Sequence, residues 1–257
     1  MTRHAGATGK ASREEDIPRL LRDVESRLVE RCIPAARALA DLGVQDAIPA
    51  MTRGVRDCRR YGPPKTAARV WRAFLECLAR LGESQPVIED LSSPQHSTPW
   101  AAELLGRYPS EAGVEALLRV VQGAADALAD PRFRLADSPP SGRKSLHSFA
   151  VIGAAIRSLG RINEKRAEKP LYLLLVAPAE NFESYHTVQD PDFGVIRGAI
   201  RTSRAGDYDR LCRRPAAQVL ARMGARETLE QALAVVKGHP SIQQMVASAL
   251  AELKRSP

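Results

Sequence analysis

The sequence predicts an all-α fold assembled from stacked antiparallel helix pairs, and three observations carry that expectation. The first is a returning phrase, an Ala/Leu-rich run that ends in Leu-Gly or a close equivalent. It reads Ala38-Leu39-Ala40-Asp41-Leu42-Gly43, then Cys77-Leu78-Ala79-Arg80-Leu81-Gly82, Ala155-Ile156-Arg157-Ser158-Leu159-Gly160 and Val219-Leu220-Ala221-Arg222-Met223-Gly224. Ala101-Ala102-Glu103-Leu104-Leu105-Gly106 is a looser copy, and Ala249-Leu250-Ala251-Glu252-Leu253-Lys254 repeats the phrase without the glycine. The second is a fresh helical run after most copies, such as Ala47-Ile48-Pro49-Ala50-Met51, Leu171-Tyr172-Leu173-Leu174-Leu175 and Ala232-Leu233-Ala234-Val235-Val236. The third is composition: 44% hydrophobic residues with only 5% aromatics suit packing by Ala, Leu and Val on helices. A chain that repeats one supersecondary unit buries its apolar faces by stacking copies.

Each copy of the phrase has the same physical logic. The apolar residues one and four positions before the glycine, Leu42 and Leu39 or Leu81 and Leu78, share one helical face. The alanines beside them let a second helix approach, and the glycine suits the left-handed backbone at a helix C-terminus. The spacing is irregular. Gly43 to Gly82 is 39 residues and Gly82 to Gly160 is 78, but Gly160 to Gly224 is 64 and Gly224 to Lys254 is 30. An irregular array with insertions accounts for this; chance recurrence of Leu-Gly in an Ala/Leu-rich chain is the alternative.

On these residues the chain resembles the HEAT-repeat family, including its short bacterial variant related to phycobilisome-lyase repeats. The segments that carry the resemblance are Pro215 to Gly224 with its sequel, Ala35 to Gly43 with Ala47 to Met51, and His239 to Leu250 as a further first helix. His239 and Ile242-Gln243 depart from the family's Asp and Val-Arg at those places. The resemblance spans roughly two-thirds of the chain. It implies a right-handed α-solenoid of antiparallel helix pairs and a non-enzymatic scaffold or adaptor for protein partners, because such stacks bind rather than transform.

The elements follow in order. Residues 1–12 are small, polar and basic, without the apolar core of a secretion signal, and read as a flexible tail; residues 13–257 read as one helical array. A first amphipathic helix is expected from Asp16-Ile17-Pro18, burying Leu20, Leu21, Val24 and Leu28, with Cys32-Ile33-Pro34 as its break. Tyr61-Gly62-Pro63-Pro64 is a turn before a long helix through Trp71, Phe74 and Leu78. Trp71 is expected in the core, and Trp100, after Pro99, at a helix start. Three stretches read as loop insertions, 83–99, 130–144 and 178–193.

Several function classes find no support in the residues. The longest apolar run, Leu171 to Ala177, is far short of the roughly 20 residues a membrane span needs, so no membrane partner is expected. Cys32, Cys58, Cys77 and Cys212 lack paired spacing and fit buried thiols in a reducing cytoplasm. Glu183, His186 and Asp190 have spacings that would share a helical face, but Asn181, Ser184 and Asp190-Pro191 make a loop there. No phosphate loop, dinucleotide fingerprint or nucleophile elbow is present, so neither catalytic residues nor a cofactor or metal are assigned.

Charge is the remaining signal. The chain carries 38 Lys and Arg against 30 Asp and Glu, a net charge of +8. Arg197, Arg201 and Arg204 are spaced to form a stripe on one helical face, and Arg213 and Arg214 follow a short acidic turn. These five arginines are the expected partner-binding or phosphate-binding residues, since guanidinium forks pair with carboxylates and phosphates alike. A protein partner is the first expectation and nucleic acid the alternative. Asp207, Asp209 and the acids at 180, 183, 190 and 192 leave a third outcome, a solvated face neutralised locally. A second group, Arg53, Arg56, Arg59 and Arg60, falls at a helix end, where cations are favoured in any case.

Overall fold

The computed structural model describes residues 16–92, 98–129, 147–177, 183–190, 194–203 and 205–255. The chain divides into two compact units, Met1–Glu89 and Asp90–Pro257. The described residues are helical throughout except for one antiparallel β-hairpin.

In the first unit, α1 (Ile17–Val24) packs on α2 (Val29–Asp41), and both α2 and α3 (Ile48–Arg56) pack on α4 (Pro64–Arg80). The core joins Cys32, Ala36 and Leu39 of α2, Met51 of α3, and Val70, Phe74 and Leu78 of α4. Full burial of each large side chain is worth about 1.5–3 kcal/mol. Gly54 of α3 lets α4 come close, because a Cβ there would sit 2.3 Å from the Phe74 ring. The α1–α2 break falls at Glu25–Leu28, before the expected Cys32-Ile33-Pro34; Pro34 lies inside α2, and Leu28 is 54% exposed. The helix α5 (Gln85–Ser92) spans the division between the units.

In the second unit the helices form two rows. One row contains α6 (Pro99–Arg107), α8 (Phe149–Arg161), α11 (Arg214–Arg222) and α13 (Pro240–Arg255), each packed on the next. The other contains α7 (Glu111–Ala129), α9 (Glu168–Val176) and α12 (Arg226–Val235), again each on the next. Neighbours in sequence pack across the rows, α6 on α7, α11 on α12, and α12 on α13. Between α9 and α11 come the strands β1 (Glu183–Asp190) and β2 (Gly194–Ser203), then α10 (Ala205–Tyr208) and a π turn over Asp209–Arg213.

The two units share one module, residue for residue. From Asp41 to Ala50 and from Arg161 to Pro170 the helix end, the single 3-10 turn, the next helix start and the pattern of burial coincide. The shared device is the helix end. The amides of Val44, Glu83, Glu164 and Ala225 reach back to the carbonyls of Leu39, Leu78, Leu159 and Leu220 at 2.9–3.0 Å. The residue before each of those amides takes the left-handed conformation: Gly43 (φ 71°), Gly82 (φ 86°), Asn163 (φ 56°) and Gly224 (φ 75°). This is the bonding of a Schellman ending, which satisfies carbonyls a helix would leave unpaired.

Here the expected alignment is corrected. The counterpart of Gly43 is Asn163 rather than Gly160, and asparagine is the other residue that tolerates this backbone. Gly160 and Gly106 lie within α8 and α6, where they serve close approach instead. An added Cβ would sit 2.4 Å from Val219 at Gly160, and 2.4 Å from Ser158 at Gly106. The Ser158 hydroxyl uses that proximity to donate to the Ala102 carbonyl at 2.8 Å.

Of the expected loops, 83–99 contains α5 and ends where α6 begins, and 178–193 contains β1. Residues 1–12 and 130–144 lie outside the described residues. Trp71 and Trp100 are half-buried, the latter in the first turn of α6 behind the Thr98 N-cap, whose side chain accepts from the Ala101 amide.

The glycines give a test. At Gly153 a Cβ would lie 2.0 Å from the backbone carbonyl of Leu211 in the π turn, whereas Gly123 faces open space. Gly153→Ala is expected to lower stability by about 1–3 kcal/mol, as overpacking does. Gly123→Ala is expected to raise it by up to about 1 kcal/mol through helix propensity. Thermal denaturation of both variants checks the pair.

Candidate functional site

The five arginines expected to bind a partner do not form one surface. Arg197 and Arg201 lie on β2, with Arg201 opposite Tyr185 of β1, so the expected helical stripe is corrected to a strand. The run Val195-Ile196 and Ile200-Arg201-Thr202 is rich in β-branched residues, which favour a pleated partner over a helix. Arg204 lies outside the described residues. Glu183, His186 and Asp190 also fall on a strand, β1, and among the described residues no three His, Cys, Asp or Glu side chains converge on a metal position.

Arg213 is corrected from surface to core. It is 1% exposed, its guanidinium donates to the Asp209 carboxylate and to the Ala177 carbonyl, and it lies over the Tyr208 ring at 5.0 Å. The Tyr208 hydroxyl donates to the Leu174 carbonyl at 2.6 Å, and its ring meets Phe149 edge-on at 5.3 Å. Burial holds the Tyr208 hydroxyl well above its ordinary pKa. These contacts fasten the end of α9 to the π turn, and thereby fix where the hairpin leaves the helices and returns. Arg214, one residue on, is exposed on α11.

The other basic group divides in the same way. Arg53 pairs with Glu25 at 2.6 Å, and Arg60 lies over the Tyr61 ring at 4.9 Å and donates to its hydroxyl. Arg56 and Arg59 are exposed. Arg166 binds Glu164, Glu111 and Glu115 together, tying the start of α7 to the turn before α9. Hydrogen bonds from Arg166 hold the Glu164 carboxyl below its usual range. This network is an internal fastening.

Two faces of the second unit differ from their counterparts in the first. On α8 and α11 the exposed residues are Arg157, Arg161, Arg214, Gln218 and Arg222. Arg157 pairs with Glu103 at 3.4 Å, while Arg161, Arg214 and Arg222 make no ion pair among the described residues. On α9 Lys169 is exposed and Glu168, Tyr172, Leu173 and Val176 are half-buried, the last three in front of a fully buried row of Leu171, Leu174 and Leu175. Their equivalents on α3 are Thr52, Arg53 and Arg56. Both faces are hidden along the sequence while Gly160 stands as the counterpart of Gly43; aligning Leu159-x-x-Ile162-Asn163 with Leu39-x-x-Leu42-Gly43 exposes them.

The thiols do not form a reactive centre. Burial pushes Cys77 up to about 11 and Cys32 and Cys212 above their ordinary values, so none is a thiolate near neutrality. Cys58 is half-buried. Alkylation of the native protein is expected to modify Cys58 first and the other three only on unfolding, as peptide mass mapping would record. Arg213→Ala is expected to destabilise by about 3–5 kcal/mol, because it strands a partly buried carboxylate at Asp209; chemical denaturation measures it.

No helix among the described residues is long and apolar enough to cross a membrane. No protein-family model matches the chain, and no curated protein matches it closely enough to indicate a relative.

Proposed function

We propose that the chain is a non-enzymatic scaffold of HEAT-like helix pairs, arranged as a right-handed α-solenoid, that holds a protein partner on the outward face of α9. The reading is supported by the two rows of the second unit, in which each helix packs on its counterpart from the next pair. The module repeated at Gly43 and Asn163 supports it further.

One observation carries the choice of partner. Equivalent positions on one scaffold bear Thr52, Arg53 and Arg56 in the first unit but Tyr172, Leu173 and Val176 in the second. The first unit carries polar side chains at these places, and the half-buried apolar set distinguishes the second. Neighbouring α12 is joined to α9 by the Thr228–Glu168 hydrogen bond, and its last residue, Val235, is 57% exposed. An apolar, aromatic-containing patch with a charged rim is how protein interfaces are built.

The experiment transplants the first unit's residues. Tyr172→Thr, Leu173→Arg and Val176→Arg together are expected to leave helical content unchanged and to abolish recovery of a partner that the parent protein captures and that survives nuclease treatment. Undiminished recovery of that partner by the triple variant overturns the reading.

A further inference from the structure

We infer that Arg161 and Arg222 hold a phosphate of a single-stranded nucleic acid between the ends of α8 and α11. In the first unit the last residues of the equivalent helices are Asp41 and Arg80, and these form an ion pair. That pair establishes that side chains from the two positions reach each other. In the second unit the same positions carry Arg161 and Arg222. Gly160 presses α8 against Val219, so the two helix ends are held close. Where one copy of the module closes a salt bridge, the other presents two guanidinium groups and no carboxylate.

The surroundings are cationic. Lys165, in the turn after α8, donates its ammonium to the Met223 carbonyl beside Arg222, in the place where Gln45 donates to Leu81 at 3.2 Å in the first unit. Among the carboxylates of the adjoining segments, Glu164 holds Arg166 and Glu230 holds Arg226, while Glu227 is exposed on the first turn of α12. A cation at a helix C-terminus is favoured by the local carbonyls. That explains either arginine alone and leaves unexplained why two like charges occupy a bridging position.

The ligand class follows from the rest of this face. Its exposed residues are four arginines and Gln218, with no aliphatic or aromatic side chain to anchor a protein. Nucleic-acid interfaces are polar and positive, and guanidinium forks match phosphate oxygens. Arg214 and Arg222 stand two helical turns apart, about 12 Å by helix rise, so they meet different phosphates of one strand. This surface is distinct from the α9 face and does not rest on the protein-scaffold reading.

The test is fluorescence polarisation of a labelled 20-nucleotide oligothymidylate with the full chain, titrated at several salt concentrations. Two phosphates, one shared by Arg161 and Arg222 and one at Arg214, predict a log–log salt slope of about −1.4 for a single strand. Arg161→Asp installs the carboxylate that the first unit carries, so the fold is expected to persist, by circular dichroism and melting, while affinity falls at least tenfold and the slope flattens. Arg222→Gln is expected to act likewise, and Arg119→Gln, on α7 in the other row, to change nothing. The α9 triple variant keeps oligonucleotide binding if this inference holds, whatever becomes of the protein partner. Parent-like affinity and slope in both Arg161→Asp and Arg222→Gln overturn the inference. So does binding of a polyglutamate or phosphoserine peptide at this face with none of the oligonucleotide.

Discussion

A helix that stops leaves its last carbonyls without partners, and among the described residues that constraint is answered in one way at four places. The left-handed residues Gly43, Gly82, Asn163 and Gly224 turn the backbone so that the next amide returns to the helix. After Gly43 and Asn163 the residue two places beyond then reaches outward. Gln45 donates to the Leu81 carbonyl at the end of α4, and Lys165 donates to the Met223 carbonyl at the end of α11. One helix ending thereby sets the position of the next, and the register of the pairs follows from hydrogen bonds that must be made somewhere.

Close packing within each unit then depends on small residues at defined places. Gly106 accepts Ser158, Gly160 accepts Val219, and Gly153 accepts the Leu211 carbonyl that the π turn pushes towards α8. The π turn is thus matched across the interface by a residue with no Cβ. It also turns Arg213 inward, onto Tyr208 and Asp209, at the position where α4 carries the half-buried Trp71. A buried cation held by a carboxylate, a carbonyl and a ring face replaces an aromatic side chain, and the roots of the hairpin are pinned as a result.

Because the same module occurs in both units, its outward faces can be compared position by position, and they differ. Asp41 and Arg80 give way to Arg161 and Arg222, and Thr52, Arg53 and Arg56 give way to Tyr172, Leu173 and Val176. Neither change touches the core, where Leu39 and Leu159, Ala47 and Ala167, and Leu78 and Leu220 are buried alike. The burial that folds the module is common to both copies, and the chemistry offered to solvent belongs to the second alone.

The sequence by itself determined the helical class, the returning helix ends and the small-residue packing, because apolar spacing and glycine placement are local properties. Leu42-Gly43, Leu81-Gly82 and Met223-Gly224 mark true helix ends for that reason. Only the tertiary structure decided that Leu159-Gly160 is not one, since a glycine that ends a helix and one that admits a neighbour read alike along the chain. The same limit hid the arginines. Arg197 and Arg201 fit a helical stripe with Arg204 by spacing, yet strand pairing takes those two, and burial takes Arg213, expected at the surface beyond an acidic turn. Arg161 and Arg222 lie 61 residues apart in sequence and become neighbours because α8 packs on α11.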